Sequence, residues 1–182
     1  MSTPKLSVRE IQREDIPLIV DYWLTATPAH LQAMGVDLGK IPTRQQWMSM
    51  LPEQLNQPYE QKQSYCIIWL ADGQPIGHSN VNKIIFGEEA YMHLHIWYAP
   101  IRELHVGTEL VKMTLPYFFN NLQLKKICCE PYALNPAPNK ALAKAGFQFV
   151  KEYITTPGSL NFEQRVLHWE ILQSRFNNPE FL

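Results

Sequence analysis

The sequence predicts a mixed α/β fold: a central, mostly antiparallel sheet of about seven strands with one parallel βαβ unit, flanked by helices. Short apolar or alternating runs of strand length recur along the chain, and turn signals such as Asp72-Gly73 join three of them as hairpins. Segments with helical periodicity separate the other runs. With 182 residues, the chain is long enough for one domain with a substantial core, residues 1–182.

The first third of the chain is predicted to be one strand followed by helices. Residues 6–11 alternate apolar and polar side chains, as a strand does. Asp15 then caps a helix whose apolar residues repeat with helical spacing as far as Leu24. Residues 25–59 contain four prolines and two glycines around a helix predicted at 43–55. We interpret residues 25–59 as an irregular helical lid segment of the same domain.

The rest of the chain is predicted to be a three-strand meander that leads into the βαβ unit. Asp72-Gly73 and Gly87-Glu88 supply the two hairpin turns, and Gly146 stops a short helix. Pro116 lies inside a helical pattern and is expected to kink that helix or end it early. The predicted elements are strands at 65–71, 75–86 and 90–98, a helix at 106–120, a strand at 126–130, a helix at 138–145, and strands at 147–155 and 162–172.

Charge, hydropathy and cysteine content exclude several classes of protein. Sixteen basic and seventeen acidic residues give a net charge of -1, without the basic excess that phosphate backbones require, so nucleic acid is not an expected partner. The longest wholly apolar run, residues 66–71, is far too short to span a membrane, and the first five residues do not resemble a signal peptide. We therefore expect a cytoplasmic protein with no membrane partner. Cys66, Cys128 and Cys129 lack metal-ligand spacing and are expected to be buried thiols, so no metal is expected.

Residues 92–111 carry the most chemical information. They comprise the end of a strand, a short turn, and the start of a helix with Gly107 in its first turn. Free N–H groups at a helix N-terminus favour an anion, and Arg102 adds a positive charge, so this segment could hold a pyrophosphate. Many strand–turn–helix units contain a glycine and an arginine without binding an anion. A plain connection is therefore the alternative interpretation.

A second pattern corroborates the first. Asn135 precedes a short helix that ends at Gly146-Phe147, where the next strand opens. With both patterns and the element order of residues 6–172, the chain resembles the GNAT superfamily of acetyltransferases. Members of this superfamily carry an Arg/Gln-x-x-Gly-x-Gly/Ala turn after the fourth strand, and later an Asn, a short helix and Gly-Phe. Arg102 and Gly107 match the ends of the first pattern.

The resemblance implies an acetyl-CoA-dependent N-acetyltransferase without a metal. It implies that the backbone of the fourth strand, near its end, pairs with the pantetheine and polarises the thioester carbonyl. It also implies that the following turn and helix start hold the diphosphate. The residues expected to contact the donor are Ile96, Trp97, Tyr98, Arg102, Leu104, His105, Val106, Gly107, Thr108, Asn135 and Asn139.

Two positions depart from the family pattern. His105 replaces the inner glycine of the phosphate turn, so that either the turn adopts ordinary backbone angles there or it binds phosphate less tightly. His105 could instead donate to a phosphate, or be a surface residue without a role. Leu142 stands where many relatives carry a tyrosine general acid. Tyr132 is our candidate replacement, and the alternative is that Tyr132 only packs beneath a loop.

The triplet His93-Leu94-His95 places two imidazoles on one face of a strand. An imidazole is suited to removing the proton of an acceptor ammonium. The triplet resembles that of arylalkylamine N-acetyltransferases, which implies that His93 and His95 remove the proton through water. The alternative is that both histidines line a half-buried sheet face beside Tyr91 or Trp97. We favour the catalytic interpretation for at least one of them.

Other side chains could contribute to the chemistry, but their spacing does not separate them from ordinary structural residues. Carboxylates that could act as a base are Asp15, Glu88, Glu89 and Glu130. Aromatic residues of the N-terminal half that could shape an acceptor pocket are Trp23, His30 and Trp47.

These observations predict acetyl transfer to a primary amine of a small molecule by direct attack in a ternary complex. One alternative is a protein N-terminal or lysine acetyltransferase of the ribosomal-protein type. The other is a non-catalytic acyl-CoA-binding module, which the residues His105 and Leu142 would support. A closed aromatic pocket would favour the small amine, and an acidic groove would favour a basic protein tail. Both a monomer and a homodimer are compatible with the sequence.

Overall fold

The computed structural model describes residues 4–102, 104 and 106–176. His105, which the sequence analysis placed in the phosphate turn, lies outside the described residues. The strands are β1 Leu6–Glu10, β2 Tyr65–Ala71, β3 Gln74–Ile85, β4 Glu89–Ile96, β5 Lys126–Cys129, β6 Gln148–Thr155 and β7 Gln164–Leu172. The α-helices are α1 Ile16–Thr25, α2 Pro28–Ala33, α3 Arg44–Glu53, α4 Ala99–Arg102, α5 Gly107–Asn121, α6 Pro136–Lys144 and α7 Gln173–Phe176.

The seven strands form one sheet in the order β1-β2-β3-β4-β5-β7-β6. Neighbouring strands are antiparallel except β4 and β5, which are parallel because α5 crosses between them. The predicted fold class is therefore confirmed. No helix among the described residues is long and apolar enough to cross a membrane.

The predicted turns occur where glycine permits positive φ angles. Asp72 and Gly73 have φ values of 50° and 78°, as the two central residues of a type I′ hairpin turn require. Gly146 has a φ of 90° and follows the end of α6. The expectation that Pro116 could end its helix early is wrong, because α5 continues to Asn121. The proline removes only one backbone donor from a helix that packs its apolar face firmly into the core.

Helices cover the two faces of the sheet differently. On one face, α5 packs Leu110, Leu115 and Phe118 against the central strands in the larger apolar core. On the other face, α1 and the lid segment form a second core around Trp23 and Trp47, whose rings stack with centroids 6.0 Å apart. The second face carries the polar residues of the central strands and therefore holds the candidate site.

The parallel strands β4 and β5 pair over only three residues. Their ladder joins Glu89 to Lys126, Ala90 to Ile127 and Tyr91 to Cys128. Beyond Tyr91, β4 continues to Ile96 paired with β3 alone. A wedge-shaped opening therefore separates the C-terminal ends of the two parallel strands.

Candidate active site

A cavity of about 480 Å³ lies between the lid segment and the polar face of the sheet, at the point where β4 and β5 separate. One wall is aromatic and apolar, with Trp23 and Trp47 as its largest side chains. Among the described residues that line the cavity there is no lysine and no arginine. Polar side chains of the strands and their ends form the opposite wall: His78, Asn80, Asn82, His93, His95, Glu130 and Tyr132.

Strand alternation and register bring the histidines into this cavity. His93 lies opposite Asn80, and His95 lies opposite His78, so the side chains of both pairs point to the same face of the sheet. Leu94 and Ile96 point the other way and pack against the core beneath α5. The sequence-based prediction that both imidazoles share one face is confirmed.

The hydrogen bond of His93 identifies its basic nitrogen. Its Nε2 lies 3.2 Å from Oδ1 of Asn82, and an amide oxygen only accepts hydrogen bonds. Nε2 therefore carries the proton, and Nδ1 keeps its lone pair. Burial, assisted by the charge of Lys83 and opposed by that of Glu130, lowers the pKa of His93 to about 4. The imidazole is therefore neutral at neutral pH.

A chain of polar contacts reaches His95 from Arg102. NH1 of Arg102 lies 3.3 Å from Nδ1 of His30, Nε2 of His30 lies 3.3 Å from the Tyr22 hydroxyl, and that hydroxyl lies 3.4 Å from Nδ1 of His95. A guanidinium only donates, so Nδ1 of His30 accepts from Arg102 and Nε2 of His30 donates to the Tyr22 hydroxyl. That hydroxyl has two acceptors within reach, Nδ1 of His95 and, at 3.5 Å, Sδ of Met34. We assign its proton to His95, because a thioether is a weak acceptor, and Nε2 of His95 then carries the ring proton.

His95 differs from His93 in its surroundings as well. Its ring stacks on that of His78, with centroids 4.8 Å apart. Burial, with the nearby histidines and Arg102, holds the pKa of His95 well below its usual range, and burial lowers that of His78 to about 3. Nδ1 of His78 in turn accepts from the indole N–H of Trp97 at 2.8 Å. His95 is therefore a neutral ring fixed within an aromatic cluster, and its outer nitrogen is a donor.

The guanidinium of Arg102 turns back onto the end of β4, and its role as a countercharge to pyrophosphate stays a prediction. Nε donates to the carbonyl of Ile96 at 2.8 Å, and NH2 donates to the carbonyl of Trp97 at 3.0 Å. The side chain also lines a second cavity of about 390 Å³, between α1, α2 and the turn after β4. The charge of Arg102 satisfies carbonyls that the strand leaves unpaired where it ends.

Backbone groups of β4 face the opening. The N–H of Trp97 donates to the carbonyl of Ile76 at 2.8 Å, so by antiparallel alternation Met92, Leu94 and Ile96 turn their backbone groups away from β3. The carbonyl of Ile96 is taken by Arg102, and that of Met92 accepts from the Cys129 thiol at 2.9 Å. Leu94 therefore joins residues 96–98 as a candidate for the predicted thioester contact.

The first turn of α5 lies beside this opening. Val106 precedes the helix without a side-chain cap, so the first N–H groups of α5, from Gly107 and Thr108, have no capping partner among the residues that the structure describes. A Cβ built on Gly107 would lie 3.8 Å from Cδ1 of Ile96 and 4.0 Å from Cβ of Ala141. The start of α5 is thus placed between the end of β4 and the helix α6, as the predicted donor site requires. Val106 is buried and Leu104 is exposed.

The two asparagines of the second motif have different positions. Asn135 lines the cavity at the start of α6. Asn139 is buried, and its amide donates to the carbonyls of Tyr132 and Asn135 at 3.1 and 2.7 Å while it accepts from the indole of Trp169 at 2.8 Å. These contacts use the whole amide within the protein. The Asn139 side chain therefore holds the loop before α6, and the predicted contact of this residue with the donor stays a prediction.

Tyr132 lines the cavity, and its ring packs edge-on against Phe162 with centroids 5.8 Å apart. Leu142, at the position of the family's usual tyrosine, is fully buried in the core beneath α6. A side chain at that position in this chain is part of the packing and does not reach the cavity. Tyr132 thus remains our candidate for the acid.

Among the carboxylates, the structure separates Glu130 from the others. Asp15, Glu88 and Glu89 form ion pairs with Arg9, Lys125 and Lys126, which account for them structurally. The side chain of Glu130 is only 5 % exposed and lines the cavity. Sequence spacing did not distinguish it, although alternation with the buried Ile127 and Cys129 places Glu130 on the polar face.

Comparison with known proteins places this fold and cavity in a family. Residues 5–148 match the family model described as an acetyltransferase (GNAT) domain. The chain belongs to the GNAT acetyltransferase family. It is thus an enzyme of the acetyltransferase class, and acetyl-CoA is its acetyl-donating co-substrate. No curated protein sequence matches the chain.

Solved structures of GNAT enzymes share the whole fold. Spermidine N-acetyltransferase from Vibrio cholerae, in complex with CoA and spermine, has a TM-score of 0.73 at 18 % identity, over 95 % of this chain and 98 % of that one. Aminoglycoside acetyltransferase AAC(6')-Ib with coenzyme A has a TM-score of 0.73 at 18 % identity, over 97 % and 99 %. Mycobacterium smegmatis RimJ with CoA-disulfide has a TM-score of 0.76 at 15 % identity, over 95 % and 84 %.

Proposed function

We propose that this GNAT protein transfers the acetyl group of acetyl-CoA to the primary amine of a small cationic molecule, by direct attack in a ternary complex. The observation that carries the proposal is the position of His93. Its unprotonated Nδ1 belongs to a neutral ring that lines the cavity at the opening between β4 and β5.

The residues at this opening fit the donor. Acetyl-CoA, when bound, supplies an acetyl group activated as a thioester. The uncapped N–H groups of Gly107 and Thr108 suit a diphosphate, and the backbone of Leu94 faces the opening where an extended pantetheine would lie. The Leu94 N–H would then be placed to polarise a carbonyl, as an oxyanion-hole donor does. Asn135 would border the same path.

His93 would remove the proton of the acceptor ammonium. A neutral ring with a free Nδ1 lone pair is competent as a base without first losing a proton of its own. Glu130 lines the same cavity, and its charge stabilises the imidazolium that forms when Nδ1 takes up the proton. His95 presents an N–H and would act as a donor, as would the hydroxyl of Tyr132 toward the leaving thiolate.

The lining of the cavity supports a small cationic acceptor. It contains the carboxylates of Glu53 and Glu130, and among the described lining residues it contains no lysine or arginine that would bind an acidic substrate. The stacked rings of Trp23 and Trp47 close one side, which suits the apolar body of a small molecule better than an extended protein tail. Two of the enzymes of similar fold act, by their names, on spermidine and aminoglycosides.

The alternatives have less support in the cavity. A ribosomal-protein acetyltransferase such as RimJ shares the fold, but the aromatic wall formed by Trp23 and Trp47 suits a small apolar body better than a polypeptide tail. The non-catalytic module was suggested in part by Leu142. Because Leu142 packs in the core, the missing tyrosine at that position is not a sign of a lost active site.

The test combines donor binding with turnover. Calorimetry with coenzyme A measures donor binding, and a thiol-reactive dye measures CoA release from acetyl-CoA with phenethylamine, spermidine, kanamycin or a ribosomal-type N-terminal peptide. We expect CoA binding, and release of CoA with at least one small amine. Absence of CoA binding would refute the transferase assignment. Turnover with the peptide alone would establish the protein acetyltransferase instead, and binding without any turnover would establish the non-catalytic module.

A further inference from the structure

We propose that Glu130 binds the ammonium group of the acceptor, and that His168, backed by Glu170, positions the Glu130 carboxylate for this task. The inference rests on the proposed function, because it assigns the residue that recognises the acceptor in the same cavity. It concerns three side chains of the polar sheet face that the sequence patterns did not single out.

The Glu130 carboxylate is anchored through one oxygen. Oε1 accepts from the hydroxyl of Tyr153 and from Nδ1 of His168 at 3.0 Å. Oε2 takes part in no hydrogen bond among the residues that the structure describes, although the Glu130 side chain is almost fully buried. Oε2 is not among the fully buried described atoms that lack a partner, so it is open to the adjoining space, where a ligand that brings a donor can complete its hydrogen bonding. The adjoining space is the cavity itself.

The ligand that fits this oxygen is a cation. Among the described residues, the charged side chains that line the cavity are carboxylates, and the lining histidines His78 and His93 are neutral, because burial lowers their pKa values to about 3 and 4. An ammonium is therefore attracted by Glu130 without competition from a protein cation inside the cavity. A carboxylate on the acceptor would be repelled. The inferred acceptor class is a primary amine that carries no acidic group.

His168 fixes the carboxylate from behind. It is 6 % exposed and lies between two carboxylates, with Nδ1 at 3.0 Å from Glu130 and Nε2 at 3.0 Å from Oε1 of Glu170. Both ring nitrogens therefore lie at hydrogen-bond distance from a carboxylate oxygen, which fixes the ring between Glu130 and Glu170. The register explains the alignment, because the pairing of Cys128 with Glu170 extends to Glu130 beside His168.

Lys126 holds the Glu170 end of the row formed by Glu130, His168 and Glu170. Lys126 lies 3.2 Å from Glu170 and 2.9 Å from Glu89, so its ammonium is shared between these two carboxylates. The Cys128 thiol lies 3.9 Å from Glu170. Cys128, His168 and Glu170 have the donor types of a metal site. The Lys126 ammonium already supplies the positive charge there, so we interpret the group as the support of Glu130.

The experiment measures binding of matched probes to protein saturated with coenzyme A. Calorimetry compares phenethylamine and spermidine with the neutral phenethyl alcohol and with phenylalanine, which adds a carboxylate. In the parent protein, we expect at least one amine to bind more tightly than the alcohol and the amino acid. Glu130→Gln keeps the shape and removes the charge, and should weaken amine binding by about 10- to 100-fold, as loss of a charged hydrogen bond does. Binding of the alcohol and of coenzyme A should not change.

Two further variants separate positioning from simple stability. Glu152→Gln removes an exposed carboxylate that pairs with Arg165 outside the cavity, and should leave amine affinity within about twofold of the parent. His168→Leu removes the support and should raise the KM for the amine with little change in kcat. His168→Asn keeps a donor toward Glu130, so its KM for the amine should lie close to the parent value.

Three outcomes would overturn the inference: parent-like amine affinity in Glu130→Gln, equal KM values in the two His168 variants, or a parent protein that binds coenzyme A but none of the amines. A parent protein that does not bind coenzyme A would instead refute the proposed function.

Discussion

Nε2 of His93 lies 3.2 Å from Oδ1 of Asn82, and this contact between neighbouring strands sets the chemistry of the candidate site. It fixes the proton on one ring nitrogen and leaves the other as a base. His95, two residues along the same strand, receives a hydrogen bond from Tyr22 and presents a proton instead. The two histidines look equivalent in the sequence, but they differ in the ring nitrogen that carries the proton: His93 keeps a free lone pair on Nδ1, and His95 keeps a proton on Nε2.

This difference in the position of the ring proton predicts unequal effects of substituting the two histidines. His93→Gln can keep the donor toward Asn82 through its amide but lacks the Nδ1 lone pair. We expect kcat to fall by about 10²- to 10⁴-fold, the usual contribution of a general base. The affinity for coenzyme A should not change, because His93 faces the acceptor cavity. Steady-state kinetics with the best amine of the panel, and calorimetry with coenzyme A, measure the two quantities.

His95→Gln is the matched control. It loses a ring in the aromatic cluster but removes no base, so turnover should fall by less than in His93→Gln. If His95→Gln is the slower variant, the assignment of the base is wrong.

The lowered pKa values predict that the protein loses stability in mild acid. Folding lowers the pKa of His93 to about 4 and that of His78 to about 3, from an ordinary value near 6.5. The unfolded chain therefore binds more protons than the folded one below about pH 6.5, so stability is full above that pH and declines as the pH falls toward 4. Each such histidine lowers the free energy of unfolding by at most about 1.4 kcal/mol for each unit that the pH falls in this range.

Urea unfolding at pH 7.5 and pH 5.0 measures this loss. His78→Gln removes one of the titrating groups and should show a smaller difference between the two pH values than the parent. An equal difference would mean that the carboxylates dominate the acid response.

The sequence predicted the fold well because its determinants are local. The alternation of β4 placed His93 and His95 on one face, and Asp72-Gly73 fixed a hairpin. The site was predicted less completely, because its hydrogen bonds join distant residues. The direction of the Arg102 side chain depends on carbonyls at the end of β4 and on His30 from another helix. The role of Glu130 depends on the register of β5 with β7, which no local pattern specifies.

The contacts of Asn139 predict a structural effect and not a loss of donor binding. Its amide makes three hydrogen bonds that join the loop before α6 to Trp169 of β7. Asn139→Ala leaves those buried partners unsatisfied, which should lower the free energy of unfolding by about 1–3 kcal/mol. Urea unfolding measures this change.

Affinity for coenzyme A should stay within about twofold of the parent in folded Asn139→Ala, since this residue does not face the opening. Asn135→Ala is the contrasting variant, because Asn135 lines the cavity; it should weaken donor binding with little effect on stability. Weakened coenzyme A binding in Asn139→Ala, with parent-like binding in Asn135→Ala, would instead indicate that Asn139 contacts the donor.

The space around Gly107 makes it a direct probe of the diphosphate site. Among the described residues, a Cβ at this position meets only ordinary van der Waals neighbours, at 3.8 Å in Ile96 and 4.0 Å in Ala141. Gly107→Ala should therefore fold normally, and at the start of a helix alanine should raise stability by a few tenths of a kcal/mol, up to about 1 kcal/mol. If the amides of this turn hold a diphosphate at close range, the added methyl group lies against the ligand, and coenzyme A affinity should fall by about tenfold.

Gly39→Ala, in the lid segment and with a Cβ 3.4 Å from Asp37, controls for loss of a glycine elsewhere and should bind coenzyme A normally. Parent-like affinity in Gly107→Ala would place the diphosphate away from the start of α5, because the added methyl group would lie against any diphosphate bound to this turn.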